Sequence, residues 1–125
     1  MALTAAGVKF LAQAITGQGT FFDSNNAYLG VGSGTTAFDA NQTNLTGGNA
    51  RRKLLDEGYP IVSPPSVTFR ATFEQIDANF AWNEWGIFNA STGGVMLNRV
   101  VESNGTKQDN QIWTLEVTIT FAVDA

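Results

Sequence analysis

The sequence predicts a mainly β protein: an antiparallel β-sandwich or curled sheet of about five to seven strands with one short N-terminal helix. Two stretches in which apolar and polar residues alternate, at 67–74 and 113–123, carry this prediction. Turns rich in glycine and asparagine separate the short strands, as is typical of all-β domains. No internal repeat or long linker interrupts residues 1–125, so we expect a single β-rich domain.

The N-terminal segment carries a helical pattern. Between Leu3 and Ile15, apolar residues recur at spacings of three and four, which predicts a short amphipathic helix. Thr4 stands where an N-cap is expected and Gly17 where such a helix ends. The predicted apolar stripe includes Phe10 and Leu11.

Alternation and turn residues define the strands and the segments between them. The predicted strands are 27–32, 67–74, 80–88, 95–101 and 113–123. We expect a bend at 76–79, a hairpin turn at 89–94 and a rigid break at Ser63-Pro64-Pro65-Ser66. Because both parities of 80–88 carry aromatic residues, that strand should be covered on both faces, by the core on one and by the helix or a neighbouring subunit on the other.

The segment from Ser33 to Asn49 is dominated by Gly, Thr, Asn and Gln, and predicts a long surface loop with Phe38 and Leu45 as its apolar anchors. Gly30-Val31-Gly32-Ser33-Gly34 precedes it. That run has neither the spacing and following helix of a dinucleotide fingerprint nor the Gly-Lys-Ser/Thr of a P-loop. We therefore interpret it as a turn or bulge.

Composition excludes several classes of function. Charged residues make up 14% of the chain, against about 25% in typical soluble domains, and this neutral polar surface suits dense packing among identical subunits. A net charge of −4 argues against nucleic-acid binding, which needs a basic surface. The chain has no Cys and no His, so thiolate nucleophiles, His-based triads and the usual zinc sites are excluded. We predict no enzyme activity, no cofactor and no bound metal.

The sequence also argues against a membrane role. The N-terminus lacks the basic start and continuous apolar core of a signal peptide. No apolar run approaches the roughly 20 residues that a membrane span requires. We therefore expect synthesis in the cytoplasm and no membrane association.

Glu84 is the acidic residue with the clearest assignment. It lies between Trp82 and Trp85, where a buried carboxylate would need a partner, and Arg99 on the predicted hairpin partner strand is the expected one. Catalysis by a carboxylate pair drawn from Glu74, Asp77 and Glu84 is the less favoured alternative. We predict a structural ion pair.

Two further groups of residues leave alternatives open. Trp82, Trp85 and Trp113 predict core packing, with a subunit interface or a sugar-stacking platform as alternatives. The cluster Arg51-Arg52-Lys53 precedes Asp56 and Glu57, which predicts a solvated, self-compensating stretch; the alternative is a docking patch for an acidic partner subunit.

An ordered set of short motifs supports a resemblance to a known family. The motifs are Leu3-Thr4-Ala5-Ala6-Gly7, Leu29-Gly30-Val31-Gly32-Ser33-Gly34-Thr35-Thr36, Asn41-Gln42-Thr43-Asn44-Leu45, Arg51-Arg52-Lys53, Phe69-Arg70-Ala71-Thr72-Phe73, Trp82-Asn83-Glu84-Trp85-Gly86-Ile87-Phe88-Asn89 and Met96-Leu97-Asn98-Arg99. Their order resembles that in small virion structural proteins of tailed bacteriophages, and more distantly that in the N-terminal domain of phage tail-collar fibre proteins.

This resemblance implies a role in particle architecture without catalytic residues. Because tail fibres continue into a shaft and this chain stops with the domain, we expect a capsid decoration or cement protein that binds and bridges capsid subunits. A tail fibre, collar or baseplate component is the alternative, and a free-standing glycan-binding module a remote one. The expected location is the virion, after synthesis in the host cytoplasm.

The resemblance also implies the partners, which would be other virion proteins: the major capsid protein, or tail and baseplate proteins. Bridging at three-fold positions of a shell would favour a homo-oligomer, in particular a trimer. The residues expected to contact partners are Phe10, Leu11, Phe38, Leu45, Arg51, Arg52 and Lys53.

Overall fold

The computed structural model describes residues 2–123, and within that range the chain forms one helix and seven strands. The helix, α1, spans Ala5–Ala14. The strands are β1 (Tyr28–Gly32), β2 (Arg51–Leu54), β3 (Ile61–Ser63), β4 (Ser66–Phe73), β5 (Glu84–Phe88), β6 (Met96–Val101) and β7 (Trp113–Thr120). The prediction of a mainly β fold with one short N-terminal helix is confirmed.

The strands form two antiparallel sheets that enclose the main core. Sheet A has the order β2-β1-β5-β6 and sheet B the order β3-β4-β7. Leu29 and Ile87 from sheet A belong to the same buried cluster as Phe69 and Phe73 from sheet B. Apolar side chains of both sheets therefore meet between them, as in a β-sandwich.

The pairing of β4 with β7 explains the two clearest alternating patterns in the sequence. Val67 lies opposite Ile119 and Phe73 opposite Trp113, so the apolar residues of both strands share the inner face. The predicted strand 113–123 is too long, however, because β7 ends at Thr120. The Phe121 N–H still donates to the Pro65 carbonyl at 3.0 Å, but β4 offers no partner further on, and Val123 is 95% exposed.

The predicted strand 80–88 is also too long, since β5 begins only at Glu84. Before it, the chain pairs with a different segment. The Trp82 N–H donates to Gly105 O (2.8 Å), and the N–H groups of Asn104 and Lys107 donate to Trp82 O (2.9 Å) and Phe80 O (3.1 Å). These bonds hold the segment against the 104–107 loop, while the Asn83 N–H donates to Gly32 O at the end of β1 (2.9 Å).

Helix α1 is fixed by the Thr-x-x-Gly motif. Thr4 is the N-cap, and its hydroxyl accepts a hydrogen bond from the Gly7 N–H at 2.9 Å while donating to the Met96 carbonyl. A Cβ on Gly7 would lie 3.0 Å from the Cα of Leu97. Glycine at this position therefore lets the helix lie directly on β6.

Strand β5 is buried along its whole length, but its outer cover differs from the expected one. Leu45, in the loop 33–49, packs with Phe88 and Met96 in a second apolar cluster. The long loop of the same chain therefore covers this face, where the sequence predicted the helix or a neighbouring subunit.

Two short strands, β2 and β3, were not predicted. Strand β2 contains the basic cluster and pairs with β1, and β3 forms a hairpin with β4 across Pro64-Pro65. The predicted rigid break is therefore a hairpin turn. Across residues 2–123, no helix is long and apolar enough to cross a membrane.

Candidate functional site

A buried ion pair lies on the outer face of sheet A. Arg99 Nε lies 2.9 Å from Glu84 Oε1, and each residue is only 1% exposed. Glu84 begins β5, and Arg99 in the neighbouring strand β6 lies opposite Gly86. The structure thus brings together the two residues that the sequence paired.

The long loop, residues 33–49, supplies the other hydrogen-bond donors to the Glu84 carboxylate. The backbone N–H groups of Gly34 and Thr46 donate to it at 2.9 Å, and that of Gly47 donates at 2.7 Å. Both carboxylate oxygens are engaged. The two ends of the loop are therefore held together by one side chain from the sheet.

Arg99 completes the network from the opposite side. Its Nη1 donates to the Thr36 carbonyl at 2.9 Å and to Gln42 Oε1 at 3.1 Å, and its Nη2 donates to Thr46 Oγ1 at 3.1 Å. The ion pair therefore contacts the loop at its start, middle and end.

Burial alone would raise the pKa of Glu84, but hydrogen bonds reverse that effect. The N–H of Thr46, the guanidinium of Arg99 and the N–H groups of Gly47 and Gly34 together hold the pKa below its usual value. Glu84 thus remains an anion whose oxygens are already bound. The geometry assigns this carboxylate a structural role, that of organising the loop.

Glycines make the close approach of loop and carboxylate possible. A Cβ on Gly34 would overlap Thr46 Oγ1 and lie 2.5 Å from Glu84 Oε2, while one on Gly47 would lie 2.8 Å from the Ser33 nitrogen. Gly30 and Gly32 belong to β1, so the expected turn or bulge in this run is wrong. The glycines serve packing against Phe88 and Glu84.

Most of the motifs behind the phage resemblance meet at this network. Gly34, Gln42, Glu84 and Arg99 come from four of the motifs, and all four are joined by hydrogen bonds around the ion pair. Residues from these four motifs thus act together to anchor one loop on one sheet.

The basic cluster is more ordered than a solvated stretch. The guanidinium of Arg52 lies 3.6 Å from the centre of the Phe88 ring and donates to the carbonyls of Ala90 (2.8 Å) and Gly93 (2.9 Å). Lys53 pairs with Asp77 at 2.7 Å. Charge compensation therefore comes from distant residues, whereas the sequence predicted it from the adjacent acidic residues.

Asp56, one of the two acidic residues next to this cluster, is also paired with a residue distant in sequence. Asp56 bonds Arg70 at 2.9 Å, and Thr72 donates to it from both its N–H (3.0 Å) and its hydroxyl (2.8 Å). Of the three basic residues in the cluster, only Arg51 is fully on the surface.

Two of the apolar residues expected to contact partners are instead buried within the chain. Phe10 packs edge-on against Phe22, with ring centres 4.9 Å apart, and Leu45 is covered by its own cluster. Leu11 and Phe38 are half-buried. The apolar side chains Phe10, in the helix, and Leu45, in the loop, thus pack within the chain.

The tryptophans divide between core and rim. Trp82 is buried, with its ring edge-on to Phe73 (4.9 Å) and to Trp113 (5.0 Å), which is half-buried. Trp85 is buried and donates to Glu102 Oε1 at 2.9 Å. Edge-on packing leaves the Trp82 ring no open face on which a sugar ring could stack.

An apolar groove lies between α1 and sheet B, with a volume of about 270 Å³. Phe10, Leu11 and Phe69 line it, together with exposed residues from three separate segments. These exposed residues are Phe21 (44%), Val62 (69%) and Phe121 (51%). The sequence analysis named Phe10 and Leu11 as contact residues but missed Phe21, Val62 and Phe121, because they are far apart in the chain and Phe21 follows no strand or helix pattern.

Lys107 is a second polar feature that the sequence did not reveal. Its ammonium is buried and donates to the Glu74 carbonyl and to Asn79 Oδ1, both at 2.7 Å. It thereby holds the predicted bend after β4. A lysine in a polar loop carries no sequence signal of burial.

Within the described part of the chain, no group of three potential metal-binding side chains comes together. Comparison with protein-family models and with curated protein sequences gives no match to this chain.

Proposed function

We propose that this chain is a non-enzymatic structural protein of a tailed-bacteriophage particle. More specifically, it acts as a capsid decoration protein that binds and bridges capsid subunits. The order of the motifs in the sequence and an apolar groove in the fold support this role.

The apolar groove between α1 and sheet B is the observation that carries the proposal. Phe21, Val62 and Phe121 expose large apolar side chains next to one another around it. Aromatic and aliphatic side chains grouped at a concave surface are typical of protein–protein interfaces. A subunit docked there would remove them from water.

The rest of the molecule suits a scaffold that presents this surface. The Glu84–Arg99 network uses its polar groups internally and fixes the longest loop. With 14% charged residues, the surface offers little like-charge repulsion to copies held close together on a lattice. Weak contacts repeated over such a lattice would act through avidity.

The second candidate is a tail fibre, collar or baseplate component. Its support is the more distant resemblance of the motif order to that in the N-terminal domain of tail-collar fibre proteins, and residues of four motifs, Gly34, Gln42, Glu84 and Arg99, are joined around the ion pair. Under this proposal the same groove would contact a tail protein.

Quantitative mass spectrometry of purified virions, separated into heads and tails, tests both candidates. A copy number close to that of the major capsid protein, confined to heads, supports the decoration role. A few copies confined to tails would replace it with the tail role. Absence from both fractions would overturn the virion proposal altogether.

A matched pair of variants tests the groove. In co-sedimentation with capsids that lack the protein, we expect Val62→Ser to weaken binding by about tenfold or more, because burying a valine contributes about 1.5–3 kcal/mol. Ile76→Ser is the control, since Ile76 is 84% exposed and lies outside the groove. Equal binding by the two variants would remove the groove from the proposed interface.

A further inference from the structure

The outer edge of β7 has no backbone partner among residues 2–123. Strand β7 is the end strand of sheet B and pairs only with β4. The Phe121 N–H bonds the Pro65 carbonyl, which fixes the phase of the ladder. Because hydrogen-bonding direction alternates along an antiparallel strand, the backbone groups of the even-numbered residues point away from β4. Those residues are Thr114, Glu116, Thr118 and Thr120.

Apart from the charge of Glu116, this edge lacks the features by which proteins block unwanted strand pairing. Strand β7 contains no proline and no lysine, and its register with β4 runs without a bulge over all eight residues. The outer edge of β6, by contrast, is covered: the Thr4 N–H donates to Leu97 O at 3.0 Å and the Arg99 N–H to Ala2 O at 3.3 Å. One edge of the molecule is thus capped, while an eight-residue edge is left open.

We propose that β7 pairs antiparallel with β7 of a second copy, with Val117 on the two-fold axis. This register places Thr114 opposite Thr120, Leu115 opposite Ile119 and Glu116 opposite Thr118. Each of the four outward residues then donates its N–H and accepts at its C=O in hydrogen bonds with the residue opposite on the partner strand. The two copies share one continuous six-stranded sheet, with three strands from each.

The charge of Glu116 and the direction of the backbone hydrogen bonds favour a second copy as the partner and favour this register. Centring the pair on Glu116 would set two carboxylates directly opposite one another, which destabilises a sheet. A shift by one residue would set the outward even-numbered residues opposite odd-numbered residues, whose backbone groups already bond β4. The strand is self-complementary in the Val117-centred register because its single charge faces a threonine there. This pairing goes beyond the virion role and does not depend on it.

Two substitutions at one position test the register. Thr118→Glu places a carboxylate opposite Glu116 of the second copy at both symmetric positions, whereas Thr118→Lys places an ammonium there. Each variant equally loses the 2.8 Å hydroxyl contact with Thr68 inside the chain. We expect a dimer for the wild type and for Thr118→Lys, with a dissociation constant for Thr118→Glu on the order of tenfold higher or more at low salt.

Sedimentation equilibrium of the purified chain across a range of concentrations measures these constants, and circular dichroism checks that both variants fold. The difference between the variants should shrink in high salt, which screens exposed charges. A wild type that stays monomeric, a trimer, or equal association by Thr118→Glu and Thr118→Lys would overturn the proposal. None of these outcomes alters the head-and-tail measurement, so the two proposals fail independently.

Discussion

Glu84 and Arg99 show what a buried charge requires at the scale of single residues. Moving two ions out of water costs several kcal/mol each, and their mutual attraction offsets that cost only when the remaining hydrogen-bonding positions are filled. Here backbone N–H groups donate hydrogen bonds to the carboxylate, and oxygen atoms of the loop accept hydrogen bonds from the guanidinium. The ion pair therefore stabilises the fold only together with the loop that surrounds it.

Stability should fall in acid because of Glu84. Its pKa in the folded chain lies below the ordinary value of 4.5, so the unfolded chain binds the proton first as the pH falls. The stabilisation is complete above pH 4.5 and is lost as the pH drops through the folded pKa. Urea unfolding followed by tryptophan fluorescence should show a slope of up to about 1.4 kcal/mol per pH unit from this group.

Glu84→Gln should remove this part of the slope. Some acid sensitivity should remain, because the hydrogen bond from Lys53 also lowers the pKa of Asp77. The same pH dependence in Glu84→Gln and the wild type would contradict the assignment.

Gly34→Ala should destabilise the chain by about 1–3 kcal/mol, because the new methyl group has no space beside Thr46 and Glu84. Gly48→Ala is the control in the same loop, since a Cβ there would meet nothing within 4 Å. Urea midpoints of the two variants measure the effect. Equal midpoints would show that the loop can move away from the carboxylate at little cost.

At the scale of elements, the loop 33–49 behaves as part of sheet A. It contains neither a helix nor a strand, and irregular segments of this length in compact domains are usually mobile or functional. This loop is fixed instead by the ion pair at Thr36, Gln42 and Thr46 and by the buried Leu45. The loop thereby covers Phe88 and Met96 on the outer face of sheet A.

Amide hydrogen exchange should show that the loop 33–49 is held on the sheet. The N–H groups of Gly34, Thr46 and Gly47 should exchange as slowly as strand amides, because each donates to the buried Glu84. In Glu84→Gln they should exchange faster, while amides in the β4–β7 ladder keep their protection. Fast exchange at all three positions in the wild type would show that the loop opens independently of the sheet.

The sequence predicted best those elements whose own pattern decides their structure. Helix α1 and strands β4 and β7 follow from periodicity, although the end of β7 depends on where β4 stops. Strands β2 and β3 were missed because they are short edge strands, and β3 is fully exposed, so burial left no alternating pattern to detect.

The candidate sites divide in the same way. Pairing Glu84 with Arg99 follows from a hairpin, which links neighbours in the chain. The groove joins residues as far apart as Phe10 and Phe121, and the Lys107 ammonium bonds residues 28 and 33 positions away, so only the tertiary fold brings these groups together.

At the scale of the whole molecule, the two sheets share one core but differ in their outer faces. Sheet A is covered by the long loop, and the outer residues of β7 in sheet B are exposed threonines and Glu116. The molecule therefore has one closed side and one open side. The two surfaces proposed above for contact with other subunits, the β7 edge and the apolar groove, both lie at sheet B.

Phe73→Ala should test the shared core, because Phe73 is fully buried and packs against Trp82. We expect a loss of about 3–5 kcal/mol in the free energy of unfolding. Phe21→Ala, at a half-exposed position, should cost much less. Tryptophan fluorescence and far-ultraviolet circular dichroism should give one coincident transition; two separate transitions would mean that the sheets unfold independently.

The burial of Lys107 makes its reactivity a measure of whether the chain is folded. Of its three lysines, Lys9 is exposed on the helix, Lys53 is partly held by Asp77, and Lys107 is buried with its ammonium enclosed. An amine-reactive reagent will label Lys9 readily, whereas Lys107 can react only after the bend between β4 and β5 has opened. Label at Lys107 therefore distinguishes damaged molecules from intact ones within an assembled sample, without any engineered probe.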